Sequence, residues 1–205
     1  MQSPSPANAL AHAWELEATG CRWTLYTRSR LPDTLRRELA DRIDAFENVW
    51  SRFRPGSLVS RAAAGRLPRD ADGSVSLALP PGSGALLNLY DRLHAATGGR
   101  IDPLAGADLV ALGYDPDYSF VVHDGTAHRL GAAGGRAAWS QWARHEEDRL
   151  TLREPALLDI GAAGKGFLAD LLAGWLREAG WEEYLIDASG DLLVRCAEPV
   201  RIGLE

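Results

Sequence analysis

Residues 157 to 167 read Leu-Leu-Asp-Ile-Gly-Ala-Ala-Gly-Lys-Gly-Phe, and Lys165 is the only lysine of a chain whose Lys and Arg total 22. A compact, strongly hydrated ammonium thus stands in a glycine-rich turn, between a predicted strand and a predicted helix. Backbone N–H groups of such a turn, with the positive end of the following helix, can cradle an anion. Asp159 adds a carboxylate to the same segment. An acid beside an anion site serves a ribose or base donor, or a divalent metal. Bare carbonyls of the turn suit Mg²⁺, a hard ion satisfied by oxygen. The chemistry on offer is the phosphate end of a nucleotide site. A lysine retained by chance in an ordinary loop accounts for the residues equally well.

Familiar signatures do not apply. GxxxxGK[ST] needs a glycine where Asp159 stands and a hydroxyl where Gly166 stands. GxGxxG fails because Gly161, Gly164 and Gly166 are wrongly spaced. Ser189-Gly190 is not a nucleophile elbow, since GxSxG is unmet. His123 and His128 flank Asp124-Gly125 at a spacing that gives no shared helical face for a metal.

The elements that must position these residues follow from pattern and punctuation. Trp23, Leu25 and Tyr26 predict a strand ending at Thr27, after a turn at Gly20. Asp33 caps a helix whose Leu35, Leu39, Ile43, Phe46 and Trp50 form one apolar stripe, stopped by Pro55 and Gly56. Residues 61–76 read as loop, punctuated by Gly65, Pro68, Asp72 and Gly73. A second helix starts near Ser83, turns Leu86, Leu87, Tyr90 and Leu93 inward, and ends at Thr97-Gly98-Gly99. Short strands are expected at Phe120–Val122, Leu150–Leu152 and Leu157–Ile160. A helix follows from Phe167 to about Ala179, then strands at Tyr184–Asp187 and Leu192–Val194 about the turn Ser189-Gly190-Asp191. Val200–Glu205 has strand character with nothing after it to pair, so a chain truncated at its C-terminus is expected.

With 205 residues, 46% hydrophobic and 24% charged, the chain reads as a globular protein able to bury a sizeable core. A net charge of −6 without a recurring basic run argues against a nucleic-acid surface. Cys21 and Cys196 cannot frame a disulfide scaffold, and no CxxC exists for zinc; both are expected to act as small buried hydrophobes. Trp139 and Trp142 are read as packing or subunit-contact residues. The first residues lack a basic n-region and an apolar h-region, and no window approaches the roughly 20 apolar residues of a membrane span. A flexible lead over 1–12, a single domain over 13–205 and a cytoplasmic location are therefore expected.

Four blocks then carry a resemblance. Thr19-Gly20-Cys21-Arg22-Trp23 is similar to a Met-Gly-Thr-x-aromatic entry strand, with Thr19 in place of the usual Met. Residues 50–57, Trp-Ser-Arg-Phe-Arg-Pro-Gly-Ser, with Ser60, resemble a Phe-Ser-x-Phe-x-Pro-x-Ser segment. Residues 97–103, Thr-Gly-Gly-Arg-Ile-Asp-Pro, resemble Asp-Gly-Ala-Phe-Asp-Pro. Residues 158–166, with Ser189-Gly190-Asp191, resemble Leu-Asp-Leu-Gly-Gly-Ile-Ala-Lys-Gly and a later Gly-Gly-Asp. On these blocks the chain resembles the FAD:protein FMN transferase (ApbE-like) family.

The resemblance implies an α+β fold, with antiparallel sheet and flanking helices around a flavin cleft. It implies Mg²⁺-dependent transfer of FMN from FAD to a Thr or Ser hydroxyl of an acceptor flavoprotein, with release of AMP. Thr19 belongs to the entry strand of the FAD site, Phe53 packs on the flavin, and Gly98, Gly99 and Arg100 line its pocket. Asp159 hydrogen-bonds FAD, Lys165 sits on the diphosphate, and the Ala162 carbonyl is a Mg²⁺ ligand. Ser189-Gly190-Asp191 shapes a nearby wall. The family's other metal ligands fall beyond residue 205, and no catalytic base is assigned. A truncated, non-catalytic FAD-binding protein is the alternative.

Overall fold

The computed structural model describes residues 10–122, 125–131 and 134–203. His123 and Asp124 lie outside the described residues, as do Leu204 and Glu205. The chain divides into two compact units, Met1–Ala45 with Gly164–Glu205, and Phe46–Ala163.

In the first unit, β1 (His12–Ala18) and β2 (Cys21–Thr27) form a hairpin, where the sequence predicts only the second strand. With β6 (Tyr184–Ala188) and β7 (Asp191–Arg195) they build an antiparallel sheet of order β1-β2-β6-β7. Period-2 alternation turns Trp23, Leu25 and Thr27 inward on β2, while the intervening residues remain more exposed. The early part of α1 (Asp33–Trp50) contributes Leu39 and Ile43 to the core. α6 (Gly164–Glu178) contributes Leu168, Leu172 and Leu176, one residue per helical turn. The Arg42 guanidinium lies 5.4 Å from the Trp175 ring centroid and reaches Glu178, joining these two helices. Tyr184 donates its hydroxyl to the Ala173 carbonyl at 3.2 Å, which fixes α6 to the sheet.

The second unit holds an antiparallel sheet of order β3-β5-β4, from β3 (Val75–Ala78), β4 (Ala143–Glu146) and β5 (Arg149–Leu152). Leu77, Leu150 and Leu152 are buried from it, with Leu86, Leu87 and Tyr90 of α3 (Ser83–Ala96). Gly82 provides no side-chain cap for α3. The Asp148 carboxylate does so from the β4–β5 turn, accepting from Gly82 N at 3.0 Å and Gly84 N at 2.8 Å. Short helices α2 (Leu58–Ala63), α4 (Gly106–Ala111) and α5 (Trp139–Trp142) complete the unit. Trp139 is buried, as expected of a packing residue, and donates its indole N–H to Asp91 at 2.6 Å.

Several boundaries differ from expectation. α1 ends at Trp50, ahead of Pro55 and Gly56, and residues 61–76 include the end of α2 and the start of β3. Phe120–Val122 and Leu157–Ile160 join no ladder. Phe120 N instead donates to Gly113 O at 2.8 Å, folding that apolar run into a loop, and Asp159 N donates to Pro103 O at 2.8 Å. α6 starts at Gly164, three residues before Phe167. Residues 200–203 are not strand. Both cysteines are free and half-buried.

Candidate functional site

Asp159 gathers three separated sequence blocks within the second unit. Its carboxylate pairs with the Arg52 guanidinium, from the block 50–57. Its backbone N–H reaches Pro103, from the block 97–103. Its other carboxylate oxygen accepts from Gly161 N at 2.7 Å, closing an Asx turn in the block 158–166. The turn is held from beneath by Tyr90, whose hydroxyl accepts from Ala163 N at 3.2 Å. Burial pushes the Tyr90 phenol pKa well up, the bond from Ala163 opposing this only in part, so it stays protonated. Ala162 is exposed at the top of the turn.

Gly161 and Ala163 thus already spend their N–H groups on the protein's own oxygens. Two of the turn's N–H groups are therefore engaged within the protein. Helix α6 begins at Gly164, so Lys165 stands in its first turn, not in the loop before it.

Arg52, which the sequence reading passed over, is the main addition. Its side chain is 2% exposed, against 14% for Asp159. It donates to the Tyr114 carbonyl at 2.7 Å and lies 4.1 Å from the Phe53 ring centroid and 4.7 Å from that of Tyr114. Its second terminal nitrogen, Nη2, is buried without a hydrogen-bond partner. The available signal was an arginine lying between Trp50 and Phe53 in an aromatic block. Phe53 itself is half-buried. Its ring meets Tyr114 edge-on at 5.4 Å and lies parallel to Tyr118 at 5.4 Å, with 6° between the planes.

Gly98 and Gly99 both adopt left-handed backbone and terminate α3, Gly99 N donating to His94 O at 2.8 Å. Arg100 follows, exposed. Asp102 caps the short helical turn Pro103–Ala105 by accepting from Leu104 N at 2.8 Å. Its other oxygen meets Arg136 at 3.0 Å.

In the first unit, Thr19-Gly20 and Ser189-Gly190 are two-residue hairpin loops with positive φ at both positions, the type I′ pattern that matches strand twist. Because β2 and β6 run antiparallel, with Thr24 opposite Asp187, both loops lie at one end of the sheet. At that end Lys165 Nζ is 2.8 Å from the Asp191 carboxylate. Thr19 accepts from Trp23 Nε1 at 3.3 Å and donates to Ala18 O at 2.7 Å. Thr19 therefore occupies a turn, not the entry strand. Lys165, Asp191 and Thr19 belong to the first unit; Phe53, Gly98, Gly99, Arg100, Asp159 and Ala162 belong to the second.

Among the described residues no group of three or more His, Cys, Asp or Glu side chains could hold a metal ion. The carboxylate oxygens of Asp159 already face donors. The residues described do not form a magnesium cage by themselves.

Antiparallel sheets covered by helices, with three sequence blocks converging on Asp159, define an α+β protein. Residues 18–205 match the model of the ApbE family, and the chain belongs to that family. It is similar to the flavin transferase ApbE from Vibrio cholerae (TM-score 0.74, 20% identity, over 95% of this chain and 63% of that one). It is also similar to Pseudomonas stutzeri flavinyl transferase ApbE in its apo form (0.74, 21%, over 92% and 59%). The ApbE protein from Thermotoga maritima matches at 0.68 and 15% identity, over 89% and 59%. At such identities the likeness establishes the fold. The chain spans 59 to 63% of the length of these structures. No curated protein sequence matches it. No helix of the described residues is long and apolar enough to cross a membrane.

Proposed function

We propose that the protein is a flavin transferase that moves FMN from FAD to a Thr or Ser hydroxyl of an acceptor flavoprotein and releases AMP. The observation that carries this reading is the convergence of blocks 50–57, 97–103 and 158–166 on Asp159. These are three of the blocks that carry the family resemblance, and residues 50–57, 97–103 and 158–163 share one packed unit. Phe53 offers an aromatic face to the flavin ring. Gly98, Gly99 and Arg100 are assigned to the pocket wall, and Asp159 to a hydrogen bond from FAD. Thr19 is assigned to the flavin side of its hairpin, and Lys165 to the diphosphate.

In the transfer, the acceptor hydroxyl oxygen bonds to the phosphorus of the FMN half as the bond from that phosphorus to the AMP oxygen breaks. The hydroxyl proton leaves to solvent or a base, and AMP departs with the electron pair. Lys165 would hold the diphosphate by charge, and positioning of this kind supplies much of the barrier lowering. Mg²⁺ dependence belongs to the same proposal, with the Ala162 carbonyl as a ligand. When bound, the ion supplies positive charge to the diphosphate. Mg²⁺ commonly takes most of its ligands from substrate phosphate and water.

The test is to incubate the protein with FAD, Mg²⁺ and an acceptor flavoprotein and to weigh the acceptor. A gain of one FMN mass, reduced at least about tenfold by Lys165→Ala, is expected. Tight FAD binding without a mass gain would leave a flavin-binding protein, the alternative reading.

A further inference from the structure

The loop from Gly113 to Val122 exposes Tyr114, Tyr118, Phe120, Val121 and Val122. Phe120 is 68% exposed. Tyr118 and Phe120 both take left-handed backbone, φ 51° and 49°, a conformation that costs an L-residue free energy. Core packing does not explain such an arrangement, because the rings remain in water. One contact does give the loop a shape. Tyr118 lies parallel to Phe53, with 6° between the planes and 5.4 Å between centroids, while Tyr114 meets both rings edge-on. The base of the loop is fixed, since Arg52 donates to Tyr114 O at 2.7 Å and Tyr114 N donates to Leu109 O at 2.9 Å. Tyr118 itself is 44% exposed; its backbone is held through Tyr118 N to Asp115 O at 3.1 Å.

We propose that Tyr118 is the internal occupant of the flavin-stacking face of Phe53, and that the isoalloxazine ring of FAD takes its place on binding. The inference rests on the reading of Phe53 as the flavin platform. A flat conjugated ring seeks a parallel, offset partner, and a phenol ring is the smallest such partner a protein can supply. Without ligand, Tyr118 keeps water off Phe53. The larger isoalloxazine covers more of the same face and outcompetes it. Displacement is local, because the Arg52–Tyr114 anchor precedes the residues that move. It also lets Tyr118 and Phe120 leave their left-handed backbone. Tyr118 is thus an affinity-setting residue: apparent binding is weakened by the fraction of molecules in which its ring is seated.

The test is FAD titration of the full chain, read by flavin fluorescence, for wild type, Tyr118→Ala and Phe53→Ala. Amide exchange across residues 113–122 of the wild type is followed with and without FAD. Tyr118→Ala should lower the FAD Kd by at least about threefold, the range expected from losing one competing aromatic pair. FAD should speed amide exchange in wild-type residues 117–122. A smaller decrease, weaker binding by Tyr118→Ala, or slower exchange with FAD would each overturn the proposal while leaving Phe53 as platform. If wild type does not bind FAD, or Phe53→Ala binds it equally well, the platform reading fails and the role of Tyr118 fails with it.

Discussion

Arg52 and Asp159 form a buried ion pair whose guanidinium also holds the Tyr114 carbonyl at 2.7 Å. One side chain thereby fixes the carboxylate of the glycine turn and the base of the aromatic loop. Replacing Arg52 by Ala strands a carboxylate that is only 14% exposed, and should cost about 3–5 kcal/mol in urea denaturation. Pairing Arg52→Ala with Asp159→Asn should recover part of that loss, as expected when the stranded charge is the source of the cost.

The Lys165–Asp191 pair should behave differently. Its side chains are 34% and 57% exposed, so solvent screens their attraction. Asp191→Asn should change stability by less than about 1 kcal/mol. Lys165→Ala should be as mild in denaturation, yet remove most of the rise in Tm that saturating FAD gives the wild type. An equal FAD-induced rise in both proteins would count against an anion-binding role.

Gly113 should not tolerate a side chain. Its φ is +83°, and an added Cβ would sit 2.6 Å from the Phe120 backbone. Gly113→Ala should destabilise by at least about 2 kcal/mol, from left-handed strain together with overlap, measured by chemical denaturation.

The aromatic loop should respond to acid through Asp115. The Ser119 hydroxyl, and then the Ser119 N–H, hold the Asp115 carboxyl below its ordinary pKa. A carboxylate depressed in the folded state adds stability above its unfolded pKa and loses it as pH falls through the lower folded value. The Ser119 amide resonance should therefore shift with acid at a lower pH than an unperturbed aspartate would impose. Asp115→Ala should abolish that titration.

Legibility in the sequence followed the range of the forces involved. The stripe Leu35, Leu39, Ile43, Phe46 and Trp50 is periodic along one helix, and all but the half-buried Leu35 are buried. Glycine pairs also spoke clearly, since Gly98 and Gly99 end α3 through a conformation that glycine adopts freely. The strand expected at Phe120–Val122 failed because strand propensity needs a partner, and Gly113 folds that segment back instead. β3 was missed for the converse reason: only four residues long, it gains its identity from pairing with β5. Asp159 and Lys165 stood out in the sequence by residue type and spacing. Arg52 did not, because its role depends on a contact with a residue far along the chain, which local pattern does not encode.

The convergence on Asp159 has a mutational consequence. Its carboxylate answers to Arg52 and to the Gly161 N–H, and its backbone to Pro103, so the three blocks share one anchor. In a pairwise mutational scan, positions 52, 159 and 161 would form one epistatic set. A substitution at any of them would be tolerated only in a background already altered at another. The glycine turn is thus mechanically one unit with two distant segments, and damage to it would be read in pairs of positions rather than in any single residue.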